Sequence, residues 1–148
     1  MHPGLPVTDL ETLVLRLSAL TTRRDGFSRT AAATLTRLAD AGSIRLTELA
    51  TAEGVTQPSM SALVARLVDQ GLVHRGSDPL DARVVLLSLT SDGEALVANR
   101  RADRTERLDR ALKDLSPDDV ARIADAVPAL TRLADALRRS PTPAEVTR

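Results

Sequence analysis

The sequence predicts a mainly α protein with a small β-wing, a winged helix-turn-helix lobe set between N- and C-terminal dimerisation helices. Three observations predict it. Thr47 to Val73 reads as a short helix, a glycine turn and a second helix that stops at a glycine. Directly after it, two apolar strand-like runs enclose a polar segment rich in turn formers. Outside this region the chain is helical, with leucine stripes at helix–helix spacing near both ends.

Taken in order, residues 1–6 hold two prolines and a glycine and read as a frayed tail. From Val7 to about Arg24 a helix places Leu10, Leu13, Val14, Leu17 and Leu20 on one side. That stripe fits packing on its own subunit or on a second one, and a mixture of the two fits best. Asp25 and Gly26 break the chain, Ser28 caps a helix from Arg29 to Ala41, and Gly42 ends it, with Ala31, Leu35, Leu38 and Ala39 facing inward. Ile44-Arg45-Leu46 is too short for an independent strand but suits pairing with the wing, leaving Arg45 to phosphate or solvent. Thr47 is the expected cap of the next helix, which turns Leu49 and Ala50 inward and stops at Gly54-Val55.

Thr56 caps the second helix of the motif, and Pro58 sits in its first turn, where a missing N–H costs little. Met60, Leu63, Val64, Leu67 and Val68 then recur at the spacing of one buried stripe. Pro58, Ser59, Ala62, Ala65, Arg66 and Asp69 form the opposite face, and Gly71 closes the helix. Leu72 and Val73 begin one strand and Val84 to Leu89 form another, joined by Gly76-Ser77-Asp78-Pro79-Leu80-Asp81-Ala82-Arg83. Thr90 or Ser91 opens a long helix, with Ser91 and Glu94 at capping-box spacing, that runs to about Leu115 through Leu96, Val97, Leu108 and Leu112. Its arginines Arg100, Arg101, Arg104, Arg107 and Arg110 alternate with Asp103, Glu106 and Asp109, the pattern of a solvated, ion-paired face. Ser116-Pro117-Asp118-Asp119 starts the last helix, with Ile123, Val127, Leu130, Leu133 and Leu137 in a stripe and Pro128 expected to kink it. The organisation expected is a tail at 1–6, an N-terminal dimerisation helix at 7–25, a DNA-binding lobe at 28–90, C-terminal dimerisation helices at 91–139 and a tail at 140–148.

Composition excludes several classes. The chain has 148 residues, 43% apolar, no cysteine and one aromatic residue, so the core is aliphatic and neither a disulfide nor a thiolate metal site is available. With His2 and His74 the only histidines, no metal site and no cofactor are expected. Nothing resembles a catalytic carboxylate–histidine set or a phosphate-cradling glycine loop, so no enzyme is expected. No apolar run approaches a bilayer span, and the opening MHPGLPVTDL lacks the form of a signal peptide, which points to no membrane association and a cytoplasmic location. Net charge is zero. From Ile44 to Leu89, Arg45, Arg66, Arg75 and Arg83 stand against Glu48, Glu53, Asp69, Asp78 and Asp81, a net of one negative charge. A lobe of that balance must meet DNA through placed contacts: a helix N-terminus, backbone amides, hydroxyls and a few arginines.

The succession LTELA, GVTQPSMSALVARL, QGLVHR, SDPLDAR and VVLLSLTSDG resembles the MarR (multiple antibiotic resistance regulator) family across roughly residues 44–93, about a third of the chain. The resemblance implies a homodimeric winged-helix transcription regulator, usually a repressor, on a pseudo-palindromic double-stranded operator, released by a small anionic aromatic or lipophilic effector. Thr56, Gln57, Ser59 and Ser61 would then stand at the reading end of the recognition helix, with Arg66 further along and Arg75 anchoring the wing base or a phosphate rather than reading a base. Gln57 suits an adenine edge, and Arg66 suits guanine or phosphate. Caps and solvated surface are the plain alternatives for each. Asp78, Pro79, Asp81 and Arg83 match the family's wing pattern, which implies Arg83 in or beside the minor groove with Asp81 orienting it. An ion pair of Arg83 with Asp78 or Asp81 is the competing arrangement. Ala62 and Ala82 stand where relatives often carry a basic residue. By the same resemblance an effector would meet Leu13, Leu17, Leu35 and Leu38, with Arg16 as counter-charge, although leucines at this spacing also serve as plain core. The alternative function is a winged-helix dimer that binds a protein or small molecule without reading DNA.

Overall fold

A computed structural model describes residues 6–21, 26–77 and 84–139. The elements are α1 (Val7–Thr21), α2 (Arg29–Ala41), β1 (Ser43–Arg45), α3 (Leu46–Ala52), α4 (Gln57–Asp69), β2 (Val73–Ser77), β3 (Val85–Leu89), α5 (Ser91–Lys113) and α6 (Pro117–Arg139). Helices dominate, and the strands form one antiparallel sheet in the order β1-β3-β2. The fold is the expected mainly α one with a small β-wing. Two compact units divide at residues 105 and 106, within α5.

The first unit holds the winged lobe. Its core is aliphatic: Leu35 and Leu38 of α2, Leu49 of α3, Met60, Val64 and Leu67 of α4 and Leu87 of β3 are all buried. The short segment before α3 pairs with the wing as expected, with Ile44 opposite Leu87, while Val73 faces Leu89 on the other side of β3. Alternation along β3 turns Leu87 into the core and leaves its neighbours half-buried.

Two expected core residues are exposed, for one shared reason. Val68 is 36% exposed and Ala39 is also in solvent. Each lies eight residues after a buried residue of its stripe, Met60 and Ala31, and at about 100° per residue that carries it roughly 80° around the helix. Leu67 and Leu38, seven residues on, stay within about 20° and are buried.

Helix boundaries follow their local chemistry, with two corrections. Ser28 caps α2 by accepting the Ala31 N–H at 3.1 Å, and Gly42 ends it at a φ of +72°. α3, however, begins at Leu46, so Thr47 is inside its first turn and Arg45 occupies the cap position without a side-chain cap. Pairing of β1 with β3 keeps residues 43–45 extended, and the buried Leu46 anchors the first turn behind them. At the start of α5 the cap is Thr90, whose hydroxyl accepts the Gly93 N–H at 3.1 Å; the expected Ser91–Glu94 box is not used. Glu94 is exposed, and its N–H already bonds the Thr90 carbonyl.

The charged face of α5 is solvated at Arg101 but not at Arg100. Arg101 pairs with Asp40 at 3.3 Å with both side chains exposed. Arg100 is 7% exposed, its guanidinium 5.3 Å from the centre of the Phe27 ring. In the second unit the face is ion-paired at i,i+4 spacing, with Arg110–Glu106 at 3.8 Å and Lys113–Asp109 at 2.7 Å. Ser116 caps α6 by accepting the Asp119 N–H at 3.1 Å, and the helix runs unbroken through Pro128. Its stripe Ile123, Val127, Leu130, Leu133 and Leu137 is exposed, as are Leu13, Val14 and Leu17 of α1. No described helix is long and apolar enough to cross a membrane.

Candidate nucleic-acid interface

The lobe presents one helix end to solvent on a rigid seat. α4 is anchored by Met60, Leu63, Val64 and Leu67, all buried, and shows the outer face Gln57, Pro58, Ser59, Ala62, Ala65, Arg66 and Asp69. Its entry is set by the turn before it. Gly54 adopts a φ of +63°, a conformation that favours glycine, and Thr56 is extended at the cap position. The Thr56 hydroxyl accepts the Ser59 N–H at 3.4 Å and donates to the Ser59 hydroxyl at 2.9 Å. Gln57 and Pro58 fill the first two helical positions; proline has no N–H to leave unpaired there.

That arrangement can bind a polyanion without a basic surface. A helix N-terminus carries unpaired N–H groups and a partial positive charge, and hydroxyls and a carboxamide stand beside it. Thr56, Gln57 and Ser59 are brought together there, all exposed. Ser61 is half-buried on the flank of α4, so its reach is shorter. Arg66 is exposed in the last turn of α4, on the same face as Ser59. Arg75 is exposed on β2, next to the equally exposed His74. Asp81 and Arg83, with Asp78 and Pro79, lie outside the described residues.

Of the side chains named for an effector, Leu35 is sealed in the lobe core and Leu38 is buried at the floor of a cleft, while Leu13, Arg16 and Leu17 are exposed on α1. A cleft of about 220 Å³ is lined by Leu38, Ala39, Gly42, Leu89, Glu94, Val97, Ala98 and Arg101, so Leu38 alone of those five borders it. Among the described residues no group of three or more histidines, aspartates or glutamates could hold a metal ion.

Two contacts near the interface had no sequence signal. Arg37 of α2 pairs with Glu53 at the end of α3, and Thr90 bridges the end of α4 and the start of α5. The Arg37–Glu53 and Thr90–Gly71 contacts join residues far apart in sequence and fit no local pattern, whereas the Thr90 cap on Gly93 is local.

Comparisons with known proteins converge on this lobe. A family model described as the MarR family matches residues 27–85. An HTH-type transcriptional regulator of Mycobacterium bovis is 37% identical over 122 residues, covering 79% of this chain and 85% of that protein. The solved structure of a putative transcriptional regulator from Pseudomonas aeruginosa superimposes with a TM-score of 0.77 at 29% identity, over 87% of this chain and 94% of that one. Streptococcus pneumoniae FabT, solved in complex with DNA, shares the fold with a TM-score of 0.63 at 18% identity, over 88% and 92% of the two chains.

Proposed function

The chain belongs to the MarR family, whose members are regulators and not enzymes, and from that premise we propose that it is a homodimeric, DNA-binding transcriptional regulator. One observation carries the reading most directly. The start of α4 offers Thr56, Gln57 and Ser59 to solvent while a buried stripe fixes the helix from behind. A second helix in a helix-turn-helix, held in that way, reads major-groove edges with its first turn. The M. bovis relative is named as a transcriptional regulator, and the fold recurs in a protein solved with DNA.

In finer terms, the protein is a repressor on a pseudo-palindromic operator. The lobe at 28–90 meets DNA, and helices at 7–25 and 91–139 form the dimer. Gln57 pairs with an adenine edge, Ser59 and Ser61 add permissive contacts, and Thr56 both caps α4 and approaches the backbone. Arg66 reaches guanine or phosphate, Arg75 anchors the wing base or a phosphate, and Arg83, oriented by Asp81, enters the minor groove. A small anionic aromatic or lipophilic effector, bound near Leu13, Arg16 and Leu17, shifts the dimer away from its DNA-competent form. The protein acts in the cytoplasm, without a cofactor.

Fluorescence anisotropy against its own promoter DNA tests this. A preferred inverted repeat is expected, with Gln57→Ala and Arg83→Ala each weakening it while the dimer persists. Losing one good base contact costs about 1–3 kcal/mol, roughly a fivefold to hundredfold drop in affinity. Equal affinity for scrambled duplex would refute sequence reading and favour the module that binds a protein or small molecule instead.

A further inference from the structure

One side chain closes the connection between α4 and α5. α4 ends at Gly71, which takes a φ of +72°. The Gly71 N–H donates to the Val68 carbonyl at 2.8 Å, and the Leu72 N–H reaches back to the Leu67 carbonyl at 2.9 Å, a Schellman stop. The next two carbonyls both accept from Thr90. Its hydroxyl donates to Gly71 at 2.6 Å, and its N–H donates to Leu72 at 3.1 Å. The same hydroxyl oxygen accepts the Gly93 N–H at 3.1 Å. Gly93 approaches so closely that a Cβ there would stand 2.1 Å from the Leu72 carbonyl oxygen.

These bonds do two separable jobs. Capping α5 needs only an acceptor at position 90, which many polar side chains supply. Holding the Gly71 carbonyl needs a donor on the same atom, and this bond adds nothing to the start of α5. A hydroxyl can do both at once.

We infer that Thr90 is a positioning residue that locks the C-terminal end of α4 to the first turn of α5, with Gly93 permitting the approach, and so sets the half-site spacing a dimer accepts. The inference rests on the reading of α4 as the DNA-reading helix of a homodimer. α4 is only 13 residues long, and its buried stripe resists lifting off the core more than tilting upon it. The tie to Thr90 restrains that tilt at the end remote from Gln57. A change of tilt moves the reading end relative to α5, and in a dimer it alters the separation of the two recognition helices, which must match the half-site spacing.

The test uses inverted-repeat duplexes selected from a random pool by the wild-type protein, then respaced by one base pair in either direction. Anisotropy gives the ratio of affinities for selected and respaced sites, and thermal melts report stability. Thr90→Ser keeps both bonds and should match wild type in both readouts. Thr90→Asp keeps an acceptor for the α5 cap but has no donor for Gly71. It should melt a few degrees below wild type, as loss of one hydrogen bond requires, and lose spacing discrimination by up to about fivefold. Because the ratio compares two duplexes on one protein, the added charge cancels from it. Should Thr90→Asp fail to fold, Thr90→Ala assayed below its melting transition gives the same readout. A variant lacking the donor that keeps the wild-type ratio overturns the inference and leaves Thr90 as a cap only. A wild-type protein that selects no inverted repeat refutes the operator reading itself, and the inference with it.

Discussion

Arg37 Nε lies 2.8 Å from Glu53 Oε1, so a residue in the middle of α2 holds the last residue before the glycine of the helix-turn-helix. Glu53 occupies the C-cap of α3 with its side chain only 10% exposed, whereas Arg37 is 42% exposed. Burial of one partner makes the pair worth more than an ordinary surface ion pair, and exposure of the other lets salt screen it. A double-mutant cycle of Arg37→Met and Glu53→Gln, read by urea unfolding, should give a coupling of about 1 kcal/mol at low salt. The coupling should shrink as salt is added. A value indistinguishable from zero at low salt would show that the contact contributes nothing to the lobe.

Arg100 and Phe27 form a second long-range contact whose strength can be measured. The guanidinium is nearly buried, so its attraction to the ring face is less weakened by water than at an exposed site. Phe27→Leu keeps an apolar side chain but removes the ring, and should lower stability by about 1–2 kcal/mol. Pairing it with Arg100→Met in a cycle isolates the ring–cation part from the loss of area. Full additivity of the two substitutions would assign the whole effect to packing.

These contacts mark where reading the sequence stops. The α4 stripe was legible because Met60, Leu63, Val64 and Leu67 repeat at the helical period, and Gly42 and Gly71 were legible because local backbone demands them. Ser28, Thr56 and Ser116 were legible as caps, since a cap depends on residues two or three positions away. Arg100 was not. In sequence it belongs to the same alternation as Arg110, which does pair with Glu106, whereas Arg100 is buried with its guanidinium over the Phe27 ring. The partners of Arg37 and Thr90 were hidden for the same reason. At the candidate interface, the cluster of Thr56, Gln57 and Ser59 was legible because it occupies a single helical turn.

Thr34 offers a stabilising substitution. It is fully buried in α2, and its hydroxyl has no hydrogen-bond partner among the described residues. A buried hydroxyl left unpaired costs free energy relative to a methyl group of similar shape, so Thr34→Val should raise stability by about 1 kcal/mol. The urea midpoint should rise with an unchanged slope. A fall in the midpoint would mean that the hydroxyl is hydrogen-bonded in solution.

The stripe on α6 makes the assembly testable without disturbing the lobe. Leu130 and Leu133 are 47% and 40% exposed, and Ile123, Val127 and Leu137 continue the same spacing. Covering such side chains yields at most about 1.5–3 kcal/mol each, less here because they are already partly shielded, so a partner must engage several at once. Leu130→Glu would place a charge in the middle of that contact while costing the isolated chain little, since the side chain already meets water. Sedimentation should then show a dimer for the wild type and a monomer for the variant, with the helical circular dichroism retained. Affinity for an inverted repeat should collapse toward that for a single half-site, because the second lobe no longer binds at high effective concentration. A Leu130→Glu protein that remains a dimer at micromolar concentration would show that α6 does not form the interface, and Leu13→Glu would then test the stripe on α1.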